Sequence, residues 1–164
     1  MMAIEPMKFV HINTVAAIEQ RVYTSPWTMN AFVGELLENT FASYYVALFK
    51  GDVVGYAGIW TILDEAHITT LAVSPEYQGR GIGYALLKCI ITEAAAKGAV
   101  RMTLEVRASN TNAQRLYQRY GFKSCGTRPK YYNDEDALIM WLENLEEVCD
   151  NPAAPGQENG GYHV

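Results

Sequence analysis

Gln78-Gly79-Arg80-Gly81-Ile82-Gly83 joins the apolar run Leu71-Ala72-Val73 to a segment of helical spacing. Three glycines within five residues let the backbone approach a ligand closely and turn its N–H groups inward. A helix start adds partial positive charge at the same place, so a diphosphate is the guest this loop suits. Arg80 either adds a charge-assisted contact to that guest or points into solvent. A Walker loop needs Gly-Lys followed by Ser or Thr, and the dinucleotide fingerprint needs its third glycine at another offset, so neither ATP nor NAD is supported. Alone, the loop also reads as a plain tight turn, and its surroundings have to decide.

Downstream, Ile82, Ala85, Leu86, Cys89, Ile90 and Ala94 share one face of a long helix that Lys97-Gly98 ends. Residues 101–107 alternate, with Met102, Leu104 and Val106 on one side and Thr103, Glu105 and Arg107 on the other. Asn110 or Thr111 caps the last helix, in which Ala113, Leu116, Tyr117 and Tyr120 repeat before Gly121 closes it. Residues 122–126 and 137–142 read as two final strands. Upstream, residues 44–49, the turn Lys50-Gly51-Asp52 and residues 53–62 form a hairpin, and Leu63-Asp64-Glu65 turns into a third strand over 66–73. Before the hairpin come a strand at residues 7–10, a helix through Val15, Ile18, Glu19 and Val22 stopped by Ser25-Pro26, and a short amphipathic helix capped by Thr28. The pattern predicts one domain over residues 1–148 and a disordered tail over 149–164, where Pro152, Pro155 and three glycines fall without periodicity.

At 164 residues and 49% hydrophobic content, the chain is the size of one packed domain. Its net charge of −5 argues against nucleic-acid binding. Cys89, Cys125 and Cys149 are odd in number and scattered, which gives neither a disulfide framework nor metal-ligand spacing, and a reducing cytoplasm is the simplest home. No apolar run has the length of a signal sequence or a membrane span.

With Gln78, Gly81 and Gly83 placed after Leu71-Ala72-Val73, the sequence resembles the GNAT acetyltransferases and their Gln/Arg-x-x-Gly-x-Gly/Ala signature. It resembles more closely the RimI branch, the ribosomal-protein-alanine N-acetyltransferases, through Pro26-Trp27, Asp64-Glu65-Ala66, Leu104-Glu105-Val106-Arg107, Ser109-Asn110, Leu116-Tyr117, Gly121-Phe122, Tyr131-Tyr132 and Glu135-Asp136-Ala137, in the branch's order. The resemblance implies a single α/β (α+β) GNAT domain whose mixed, mostly antiparallel central sheet is flanked by helices and splays open after Leu71-Ala72-Val73. It implies acetyl-CoA as cosubstrate and no metal. The pantetheine arm would lie along Leu71, Ala72 and Val73, the diphosphate on Gln78, Gly79, Arg80, Gly81, Ile82, Gly83 and Tyr84, and Asn110 would touch the coenzyme. The acceptor it implies is a protein or peptide N-terminus, an alanine on a ribosomal protein.

Acetyl transfer to an amine needs an uncharged nitrogen, a place for the tetrahedral oxyanion and stabilisation of the departing thiolate. The resemblance assigns Glu105 as general base, directly or through water, and Tyr117 as general acid toward the thiolate. Glu105 lies on the strand face opposite Met102, Leu104 and Val106, so it is free to face a cleft, but it also reads as a solvated carboxylate paired with Arg101, Arg107 or another cation. Tyr117 sits on an apolar helix face, where packing with its hydroxyl on a backbone group is the plainer reading. A phenol of pKa ~10 giving its proton to a thiol of pKa ~8.5 is uphill by only about 2 kcal/mol. Asn110 is as well placed to cap its helix as to meet the coenzyme. His67 reads as structural or solvent-facing, with alternative base as its minor role, and Lys130-Tyr131-Tyr132 as either a loop over the acceptor groove or an aromatic turn. Two rivals stay open: a GNAT enzyme for a small amine or internal lysine, and an acyl-CoA-binding sensor in which Glu105 and Tyr117 are structural.

Overall fold

The computed structural model of the chain describes residues 2–150. Seven strands form one sheet in the order β1-β2-β3-β4-β5-β7-β6: β1 (Met2–Pro6), β2 (Ala42–Phe49), β3 (Asp52–Ile62), β4 (Glu65–Val73), β5 (Arg101–Arg107), β6 (Lys123–Arg128) and β7 (Ala137–Leu142). The helices are α1 (Ile12–Val22), α2 (Met29–Leu37), α3 (Ile82–Ala96), α4 (Thr111–Tyr120) and α5 (Leu145–Asp150). The hairpin turn works because Lys50 and Gly51 both take positive φ, 52° and 86°, which matches the strand twist. One sheet face packs Leu71 and Val73 of β4 against Leu86, Ile90 and Leu116, while the other packs Ala72, Val46 and Tyr56 against Val15, Ile18 and Phe32. Thr28 caps α2 as expected, its hydroxyl accepting from the Ala31 N–H at 3.1 Å.

The first strand lies earlier than the sequence reading put it. Residues 2–6 pair with 45–49 of β2, and after Met7 donates its N–H to Tyr44 the chain turns, leaving Phe9 and Val10 exposed by 55% and 78%. The apolar residues at 7–10 mark that turn, whereas the true edge strand is half exposed and shows little alternation. A second difference is α5, a short helix after β7 with no counterpart in the reading that made α4 the last. Of the expected tail, Cys149 and Asp150 close α5, and residues 151–164 lie outside the described ones.

The feature that positions the site is the parting of β4 from β5. The two strands are parallel neighbours only from Glu65↔Arg101 to His67↔Thr103. Beyond that point β5 follows β7, leaving residues 68–73 of β4 with one edge open. Gly55 fixes the neighbouring helix: a Cβ there would come within 3.0 Å of the Ala72 carbonyl and 3.1 Å of Leu86, so its absence lets α3 sit close on the sheet.

Candidate active site

Gly79 and Gly81 take φ of +79° and +81°, the left-handed region where glycine is at ease, and Gly81 caps α3. The first N–H groups of α3 have no intrahelical partners, so the loop presents donors and the positive end of the helix to one side. A Cβ on Gly81 would meet nothing within 4 Å, so the space above the loop is open and the residues present fit a diphosphate. Gln78 folds back, its side-chain amide donating to the Val73 carbonyl at 3.0 Å, and the Arg80 guanidinium lies over the Tyr77 ring, 5.0 Å from its centre. Ile82 and Gly83 are buried, and Tyr84 packs against Tyr120.

Where β4 and β5 part, a cavity of about 200 Å³ opens between residues 68–71 of β4, Leu104, Glu105 and Val106 of β5, Asn110, Ala113 and Tyr117 at α4, the segment from Val22 to Trp27, and Tyr132. The structure thus brings together Leu71, Glu105, Asn110 and Tyr117 from four separate parts of the chain, while Ala72, Val73 and the glycine loop lie outside this cavity's lining. Asn110 caps α4, its Oδ1 accepting from the Ala113 N–H at 3.2 Å, and also faces the cavity. The Leu71 carbonyl accepts from the Tyr23 hydroxyl at 2.5 Å.

Glu105 is paired with neither Arg101 nor Arg107. Its Oε2 lies 2.6 Å from Nε2 of His67, and its Oε1 is 3.7 Å from Nε of Arg128. Burial pushes the Glu105 carboxyl up, but the His67 hydrogen bond, the charge of His67 and Arg128 outweigh it and leave the group below its ordinary range. Tyr117 is buried against Phe122, and its hydroxyl finds no hydrogen-bond partner among the described residues. The plainer reading of Tyr117, a hydroxyl spent on a backbone group, is therefore not what its surroundings provide. Burial, with Tyr23 and Tyr132 nearby, pushes its phenol far up, so it stays a proton donor throughout the neutral range. Arg107 instead holds the loop after β6, bonding Asp134 at 2.9 Å and Glu135 at 3.1 Å and lying over the Tyr132 ring. That clamp sets Tyr132 so that its hydroxyl donates to the Glu105 carbonyl at 3.0 Å.

Residues 12–122 match the family model described as Acetyltransferase (GNAT) family. The chain belongs to the GNAT acetyltransferase family. It is 44% identical over 142 residues to a Bacillus subtilis (strain 168) protein, across 85% of this chain and 94% of that one, whose name provisionally gives it ribosomal protein bS18-alanine N-acetyltransferase activity. The Escherichia coli (strain K12) ribosomal protein bS18-alanine N-acetyltransferase is 37% identical over 129 residues, across 76% of this chain and 86% of that one. The crystal structure of the ribosomal-protein-S18-alanine N-acetyltransferase from Escherichia coli superposes with a TM-score of 0.80 at 34% identity, covering 88% of this chain and 94% of that one. This GNAT protein is an acetyl-CoA-dependent N-acetyltransferase, with the single mixed sheet the resemblance implied. Among the described residues of the enzyme no helix is long and apolar enough to cross a membrane, and no group of three or more His, Cys, Asp or Glu side chains is arranged to hold a metal ion.

Two residues of the cavity, Glu19 and Tyr23, and the pairing of His67 with Glu105 escaped the sequence reading. Glu19, counted there only as part of a helical repeat, is a buried acid on the cavity wall. The signal was available, since an acid on the apolar face with Val15 and Ile18 is rarely buried without a task. Tyr23 and the partnership of His67 with Glu105 left no such trace, because both depend on contacts between distant segments.

Proposed function

We propose that this enzyme transfers acetyl from acetyl-CoA to the α-amine of the N-terminal alanine of ribosomal protein bS18, by direct attack within a ternary complex. The observation that carries the reading is that the carboxylate of Glu105, held below its ordinary range, and the unpartnered phenol of Tyr117 open into a single cavity where two parallel strands separate. The acceptor is taken from the names of the relatives in Bacillus subtilis and Escherichia coli. A ribosomal acceptor puts the reaction in the cytoplasm.

The bound coenzyme supplies the thioester to be attacked. Residues 79–84 hold its diphosphate with backbone N–H groups, Gln78 and Arg80 line that loop, and the open edge of β4 at Leu71, Ala72 and Val73 receives the extended arm as an added strand would be received, with Asn110 beside it. An α-amine of pKa ~8 is roughly 10% neutral near pH 7, so attacking nitrogen is present without a strong base. Glu105, held ionised, takes the proton as the new N–C bond makes the nitrogen acidic. Tyr117 donates a hydrogen bond to the departing sulfur; with its phenol pushed upward, stabilising the thiolate is favoured over full proton transfer.

The test is intact-mass analysis after incubation with acetyl-CoA of a peptide bearing the bS18 N-terminus, the same peptide with a blocked α-amine, and a lysine-containing control. Acetylation of the free Ala-starting peptide alone is the expected result. Modification of the lysine control at an equal or higher rate would transfer the reading to the lysine or small-amine class.

A further inference from the structure

The two oxygens of Glu105 have unlike surroundings. Oε2 lies 2.6 Å from His67 Nε2, whereas the charged neighbour of Oε1 is Arg128 at 3.7 Å. An ionised carboxylate can only accept, so His67 carries its proton on Nε2 and donates it. Oε2 is thereby committed, and Oε1 is the oxygen left to receive a proton. His67 is held in turn: its ring meets the edge of Trp60, with centres 6.0 Å apart, and Trp60 Nε1 donates to Glu35 Oε1 at 2.6 Å. The same Glu35 oxygen accepts the Tyr44 hydroxyl at 2.6 Å, and its other oxygen accepts the Asn39 amide at 2.8 Å. Glu105 lines the cavity, and β4 contributes residues 68–71 to that lining without His67. His67 therefore acts through Glu105.

We propose that His67 is a positioning residue for acetyl transfer: by donating its Nε2–H to Oε2 of Glu105, it fixes the carboxylate so that Oε1 is the oxygen that takes the amine's proton. The proposal rests on the reading of Glu105 as proton acceptor. The other charged or titratable groups around the pair are Arg128 on β6, Tyr131 and Tyr132 on the loop that follows, and Glu35 behind Trp60.

The experiment measures kcat and kcat/KM at neutral pH with acetyl-CoA and an Ala-starting peptide for the wild type, His67→Leu, His67→Gln and Glu105→Gln, with melting temperature and CoA affinity recorded for each. His67→Leu should lower kcat by ~10- to 100-fold with CoA affinity unchanged. His67→Gln, whose amide still donates to Oε2, should regain most of that rate. If His67→Leu keeps the wild-type rate while Glu105→Gln is impaired, the positioning role is overturned and the base reading stands. A fully active Glu105→Gln overturns both. Should the Leu variant fail to fold, a Gln variant that folds and binds CoA as the wild type does, yet is as slow as Glu105→Gln, overturns the proposal by itself.

Discussion

Two glutamates stand on different walls of one cavity, Glu19 on α1 and Glu105 on β5, and both are largely withdrawn from water. The donors to Glu19 are neutral: the Trp27 N–H at 3.0 Å, the Tyr56 hydroxyl at 2.7 Å and the Thr70 hydroxyl at 3.3 Å. Those to Glu105 include an imidazole and, at longer range, a guanidinium. Burial raises the Glu19 carboxyl and its neutral donors do not undo the rise, whereas at Glu105 the charged neighbours overturn the same effect. The charge of the partners, and not depth, separates the two carboxylates. One acid becomes a clamp that ties the loop before α2 to the sheet, and the other stays ionised where the transfer is proposed to occur.

The strongest way to break this contrast is to make both carboxylates amides. Glu105→Gln should lower kcat by ~10²- to 10⁴-fold, the usual size of a general-base contribution, with no change in CoA affinity by calorimetry. Glu19→Gln removes one acceptor from the loop and should lower kcat by less than about tenfold while lowering the melting temperature. Equal losses of rate in the two variants would erase the distinction. Tyr117→Phe sharpens it on the coenzyme's side of the reaction. The ring packing against Phe122 survives, and a lost hydrogen bond to a charged sulfur should lower kcat by ~10- to 100-fold. The loss should grow smaller with a thioester whose thiol is more acidic, and a flat dependence on the leaving group would remove Tyr117 from the step. Gly81→Val forces a side chain into φ +81° with open space around it, so its effect is conformational. A strain of ~1–2 kcal/mol should weaken CoA binding by about tenfold and leave kcat at saturation nearly intact.

The two functional halves differed in how far the sequence revealed them. The loop proposed to hold the diphosphate is contiguous, and each requirement, glycine at positive φ and a helix start after a strand, is written within a few residues. The strand alternation that turns Glu105 away from Met102, Leu104 and Val106 was equally legible, as were the caps Thr28 and Asn110. The partners of Glu105 were not, because His67 comes close only through a parallel register three pairs long, and Arg128 only across β7. Period-two patterns say which face a residue takes and nothing of which strand lies beside it. The edge strand β1 was missed for a related reason: its residues 2–6 are half exposed, and the apolar run that stood out, Phe9-Val10, is left in solvent by a turn.

The smallest expected effect is on stability, and there the two carboxylates should pull in opposite directions with pH. Glu19 has a folded-state pKa above its unfolded value, near 4.5, so the folded protein binds more protons between that value and the raised one. Its contribution is present in full at lower pH and is lost as pH rises through this window. Glu105 has a folded-state pKa below 4.5, so its contribution is present above that value and is lost as pH falls through the lowered one. Between them the curve should flatten near pH 4.5, with Glu19 drawing it down on the alkaline side and Glu105 on the acid side. Urea denaturation across this range should show the decline above pH 4.5 reduced in Glu19→Gln and kept in Glu105→Gln. Parallel curves for the wild type and Glu19→Gln above pH 4.5 would mean that Glu19 is ionised at no cost, and that its neutral donors do for it what His67 and Arg128 do for Glu105.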